Sequence, residues 1–104
     1  MGPYRVILVT IKDESEAEAL SRQLLQEHLV ACVNIVKGIK SLFWWEGKID
    51  TAQEVLLIVK SRQDLFEAVV GCVKKNHSYQ VPEIIALPIT EGNADYLQWI
   101  DKSL

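Results

Sequence analysis

The chain has 104 residues, 49% apolar and 24% charged, with 11 Lys and Arg against 14 Asp and Glu for a formal net charge of −3. That length suits one domain with a two-layer core, and its interspersed charges give no electrostatic case for a nucleic-acid or anionic-membrane partner. No apolar run approaches the roughly 20 residues of a spanning helix, and Met1-Gly2-Pro3-Tyr4 lacks the basic and apolar regions of a secretory signal, so a cytoplasmic setting is expected. Cys32 and Cys72, with no CxxC spacing, read as reduced thiols.

In chain order, Val6-Ile7-Leu8-Val9 is short and β-branched, which predicts a first strand buried on both faces. Asp13 followed by Glu16 has the form of a capping box, so a helix begins near Glu14 and turns Ala17, Leu20, Leu24 and His28 or Leu29 inward. From Ala31 to Lys60 the pattern is a long β-hairpin bending at Glu46-Gly47-Lys48. Val33, Ile35, Ile39, Phe43 and Trp45 share one parity before the bend, and Val55 to Val59 is β-prone after it. Its arms exceed the usual strand of about 5 or 6 residues, so the tip carrying Phe43, Trp44 and Trp45 should project beyond the sheet and be covered by another subunit.

Ser61 with Asp64 gives a second capping signal, for a helix burying Leu65, Phe66, Val69, Cys72 and Val73 and ending at Lys74-Lys75. A polar connection from Asn76 to Pro82 leads to a strand over Glu83 to Ile89, which Pro88 confines to an edge. A last helix is capped by Asn93 and faces Tyr96, Leu97, Ile100 and Leu104 inward. Strand, helix, strand, strand, helix, strand plus a terminal helix is an α+β, ferredoxin-like split βαβ order over residues 1–104, with strands one and three central.

Fold does not assign function, so each class is tested on its own chemistry. An RNA-recognition module needs base-stacking aromatics on its central strands, and Val55 to Val59 has none. A copper chaperone needs paired thiols in the first loop, where Thr10-Ile11-Lys12-Asp13 has none.

Four blocks then point one way: His28-Leu29-Val30-Ala31-Cys32-Val33-Asn34-Ile35, Ser41-Leu42-Phe43-Trp44-Trp45-Glu46-Gly47-Lys48-Ile49, His77-Ser78-Tyr79-Gln80-Val81-Pro82-Glu83-Ile84 and Tyr96-Leu97-Gln98-Trp99. In this order and spacing the chain resembles the CutA family of divalent-cation-tolerance proteins over nearly its whole length. The resemblance implies a ferredoxin-like subunit, a homotrimer built through the long hairpins, a cytoplasmic setting and a link to copper and other divalent metals. It implies no reaction, and no catalytic residue is assigned.

The polar, aromatic and thiol side chains of these blocks are the candidate ligand-binding set: Cys32, Trp45, Glu54, Lys60, His77, Tyr79 and Glu83. Cys32 is open between soft-metal ligand and packing thiol, and His77 between metal donor or proton shuttle and solvated loop residue. Glu54 and Lys60 share parity and are either a cleft acid and base or the polar ends of a strand. Glu83 carries the same two readings, and Trp45 walls a cleft or an interface. Some family members have a thiol near the end of the first strand and paired histidines followed by proline. Here those places hold Val9-Thr10, Asn76-His77 and Ser78. His77 alone matches, so Cu(II) or another divalent cation is expected to bind weakly, with His77 as the metal residue. Two further readings stay open: a trimeric small-molecule sensor or enzyme using clefts between subunits, and a scaffold.

Overall fold

The computed structural model of the protein describes residues 2–104. Its elements are β1 (Tyr4–Ile11), α1 (Glu14–Gln26), β2 (Cys32–Trp45), β3 (Lys48–Arg62), a 3₁₀ turn (Gln63–Leu65), α2 (Phe66–Asn76), β4 (Ile84–Pro88) and α3 (Ala94–Ser103). The four strands form one antiparallel sheet in the order β2-β3-β1-β4. β3 and β1 are central, as their apolar runs require, and the proline-bearing β4 is an edge.

Local chemistry sets two helix starts. The Asp13 carboxylate accepts from the Glu16 N–H at 2.9 Å, and Asn93 Oδ1 accepts from the Asp95 N–H at 3.0 Å, each satisfying a donor the first helical turn leaves free. α2 starts differently from the expectation. β3 runs on to Arg62, paired with Tyr4, so Ser61 is already committed to the sheet; its buried hydroxyl donates to the Leu29 carbonyl at 2.7 Å. Asp64 pairs with Arg62 at 3.1 Å, and α2 is entered through the 3₁₀ turn without a side-chain cap.

One sheet face is dry. Ile7, Val9, Ile11, Val55, Leu57 and Val59 pack there against Ala17, Leu20 and Leu24 of α1 and Val69, Cys72 and Val73 of α2. Full burial of each large aliphatic side chain is worth about 1.5 to 3 kcal/mol. The opposite face is only partly covered, which corrects the expectation that β1 is buried on both sides. Val6, Leu8, Leu56 and Ile58 are half-buried, and Ile85 and Leu87 are 50% and 51% exposed. α3 shields one corner of that face, because the Tyr4 hydroxyl donates to Asp101 at 2.7 Å and Arg62 pairs with the same carboxylate. Ile100 is the buried residue of α3, whereas Tyr96, expected inward, is still 41% exposed.

The hairpin outruns the sheet. β1 pairs with β3 only as far as Val55, so Lys48 to Glu54 has β2 from Ile39 to Trp45 as its partner and the two form a two-stranded arm. The arm lengthens the protomer to 44 × 26 × 23 Å. Trp45 pairs with Lys48 across Glu46 and Gly47, whose φ values of 50° and 78° are those of a two-residue hairpin turn.

At the base of the arm the hairpin also holds a β-bulge that the alternation pattern hides. Val36 pairs with Leu56 but Ile39 pairs with Glu54, so Lys37 and Gly38 together oppose Val55, with Gly38 at φ 75°. The extra residue reverses the parity. Val33 and Ile35 therefore lie on the helix side, while Ile39, Phe43 and Trp45 lie on the open side. Trp44 and Leu42 take the helix-side parity beyond any helix, and Trp44 and Trp45 are 73% and 49% exposed.

Candidate functional site

Within one protomer the seven candidate residues fall into three places. Cys32 pairs with Lys60 at one end of the β2-β3 ladder, Trp45 pairs with Lys48 at the arm tip, and Glu54, His77, Tyr79 and Glu83 gather where β1 ends. Five residues of β3 lie between Glu54 and Lys60, which sets the two about 20 Å apart at the usual strand rise. Their shared parity puts them on one face but not in one pocket.

At the β1 end, the α2–β4 loop folds over the last residues of the strand. His77 Nε2 lies 2.8 Å from the Thr10 carbonyl, and the Tyr79 N–H donates to His77 Nδ1 at 3.0 Å. A carbonyl only accepts and an amide only donates, so the ring carries its proton on Nε2 and its lone pair on Nδ1. The His77 and Tyr79 rings sit 4.8 Å apart. The Tyr79 hydroxyl reaches Glu54, whose residue is 9% exposed. The Thr10 hydroxyl lies 3.5 Å from Glu83. Thr10 was not among the candidates, and its main contribution, a backbone carbonyl, leaves no mark in a sequence.

Burial pushes the Tyr79 phenol up from 10.0 to about 12, with the Glu54 carboxylate holding its proton as a hydrogen-bond acceptor. Because the folded value lies above the unfolded one, the stabilisation is complete below pH 10 and is lost as pH rises through about 12. Thermal melts between pH 9 and 12 should show that loss, and Tyr79→Phe should shallow the decline. An equally steep decline in the variant would show that another group titrates.

At the far end, Lys60 donates to the Asn34 side-chain oxygen, and Cys32 Sγ lies 4.0 Å from the same atom. Tyr96 approaches Cys32 from α3. Asn34 is two residues from Cys32, so strand period alone could have added it to the set. Cys72 lies between the helices, 3.8 Å from Glu27, and burial followed by that carboxylate raises its pKa.

Metal donors are sparse. Among the described residues no group of three or more His, Cys, Asp or Glu is placed to hold an ion. Cys32 shares Asn34 with the Lys60 ammonium at the end of β3 away from His77. His28, in the left-handed conformation at φ 56°, closes the end of α1 with Nδ1 3.2 Å from the Ser103 carbonyl. The donor set fits one open imidazole contact at His77 Nδ1, made at the expense of the Tyr79 amide, and does not fit a closed cage.

Among the described residues no helix is long and apolar enough to cross a membrane. The family model described as CutA1 divalent ion tolerance protein matches residues 5–103. The chain is 48% identical over 101 residues to Protein CutA 1, chloroplastic, of Oryza sativa subsp. japonica, covering 97% of this chain and 57% of that protein. It therefore spans just over half the length of that relative. It is 43% identical over 99 residues to the divalent-cation tolerance protein CutA of Yersinia pestis (strain Pestoides F), covering 95% of this chain and 83% of that one. The crystal structure of CutA1 from Oryza sativa matches at TM-score 0.95 and 48% identity, covering 98% of this chain and 94% of that chain. With sheet order, projecting arm and sequence all in agreement over nearly every residue, the chain belongs to the CutA1 divalent ion tolerance family.

Proposed function

We propose that this chain acts in divalent-cation tolerance as a closed homotrimer whose clefts between subunits are the ligand sites. The observation that carries the reading is the half-covered sheet face together with the aromatic arm: Ile85, Leu87, Phe43 and Trp45 are exposed and lie on one side of the sheet. Apolar area of that extent calls for a cover, and threefold closure supplies one without leaving an edge strand open to endless addition. A neighbour's arm laid on that face would bring Trp45 and the two polar groups, Cys32 with Lys60 and Glu54 with His77, Tyr79 and Glu83, to one boundary. Two free thiols suit a reducing compartment such as the cytoplasm.

Copper or another divalent cation is a weak ligand in this reading, with the His77 imidazole as donor. A second reading, a small-molecule sensor or enzyme using the same clefts, is favoured by the absence of a metal-holding cluster among the described residues. Sedimentation at micromolar concentration should give three times the 11.8 kDa protomer mass, and a stable monomer would reject the trimer. Titration with Cu(II) should give weak binding that falls at least about tenfold in His77→Ala, as loss of a principal donor requires. Cu(I) bound at nanomolar affinity, and indifferent to that substitution, would reject His77 as the donor.

A further inference from the structure

Two cations stand on the open side of β3, and only one of them is neutralised. Arg62 pairs with both Asp64 and Asp101. Lys60, two residues earlier on the same face, pairs with no carboxylate among the described residues, and its ammonium donates to the Asn34 side-chain oxygen. β3 is a central strand, so Lys60 sits between Cys32 of β2 and Val6 of β1, and next along that face Ile58 sits between Asn34 and Leu8. Lys60, Val6, Leu8 and Ile58 are already half-buried. A neighbouring subunit laid on this face removes the remaining water, and an ammonium deprived of water needs a counter-charge. We propose that the Lys60 pole of the cleft binds a small organic carboxylate, with its carboxyl group on the ammonium and its apolar part along Val6, Leu8 and Ile58. The inference rests on the proposed clefts between subunits and adds the class of ligand.

The hydrogen-bonding capacity left over at this pole is that of donors. An ammonium has three N–H groups and no acceptor, and Asn34 engages one of them. The Asn34 oxygen holds the ammonium and lies 4.0 Å from Cys32 Sγ, which leaves the amide with its two N–H donors. Donors and a positive charge select an anion. Charge then selects among anions: with Arg62 engaged by two carboxylates, Lys60 balances a monoanion and leaves a phosphate dianion in excess. The apolar flank completes the choice, because Val6, Leu8 and Ile58 offer no partner to a ligand that is polar throughout.

The test titrates benzoate and isobutyrate, with inorganic phosphate for comparison, into the full-length protein while nuclear magnetic resonance follows the backbone amides of Cys32, Asn34 and Lys60. Both carboxylates should move these resonances saturably, and phosphate should bind at least about tenfold more weakly. Lys60→Met keeps the aliphatic stem and removes the charge, so carboxylate affinity should fall at least about tenfold, as loss of a hydrogen bond to a charged group requires. Sedimentation of Lys60→Met should match the wild type. Absence of saturable shifts, or equal binding by Lys60→Met, overturns the carboxylate site and leaves the clefts standing. Phosphate bound as tightly as benzoate overturns the choice of a carboxylate. Loss of assembly in Lys60→Met overturns the ligand, because the counter-charge is then a carboxylate of the neighbouring subunit. A wild type that sediments as a monomer yet shows the Lys60-dependent shifts overturns the clefts and leaves the carboxylate on Lys60.

Discussion

Replacing Trp44 and Trp45 together by Ser is expected to turn the proposed trimer into a monomer at micromolar concentration while the far-ultraviolet spectrum stays native. The protomer has little to lose at these positions: they pair with Ile49 and Lys48 beyond the reach of β1, and neither belongs to the buried core. In the assembly each covered indole is worth about 1.5 to 3 kcal/mol, and threefold symmetry repeats that loss at every interface. Together these amount to several orders of magnitude in the association constant. Sedimentation and circular dichroism on one sample decide it. An intact trimer after both substitutions would mean that the open sheet face, and not the arm, supplies the binding energy.

Deleting Gly38 should abolish assembly by another route, without removing any apolar side chain. Lys37 and Gly38 oppose Val55 as a pair; taking one residue out restores one-to-one pairing, keeps every residue from Ile39 to Trp45 opposite its present partner, and removes the bend and added twist that the bulge gives the arm. Phe43 and Trp45 would then keep their face of the arm, but on an arm aimed in another direction. Gly38→Ala is the control, since it keeps the count and costs only about 1 kcal/mol for a side chain at positive φ. Sedimentation should show a monomer for the deletion and a trimer for the substitution. If the deletion variant still assembles, the aim of the arm is not what directs subunit contact.

The same bulge marks where sequence reading stopped. Strand order, the central place of Val6 to Val9 and Val55 to Val59, and the caps at Asp13 and Asn93 were legible because each is written in adjacent residues. Parity beyond Gly38 was not, because counting by twos through Val33, Ile35, Ile39, Phe43 and Trp45 assumes the one-to-one pairing that the bulge breaks. Ser61 looked like a cap because strand length is set by the partner, and Tyr4 extends β3 past it. At the candidate site the residue types were legible and the bonds were not. The partner of His77 is a carbonyl 67 positions away, which only the folded chain brings within reach.

The contact that joins Tyr4 to Asp101 and Arg62 closes the chain on itself across 97 positions. It places the start of β1 and the end of α3 at one corner, and the Gln63 N–H donating to the Pro3 carbonyl at 2.6 Å keeps the first residues there. The His77 loop sits at the other end of β1, about 20 Å away at strand rise, and the arm projects beyond that end. Residues appended to either terminus would leave from this corner, clear of both. Extra length such as the rice relative has, or a tag added at the bench, can therefore be carried without crowding the aromatic tip or the imidazole.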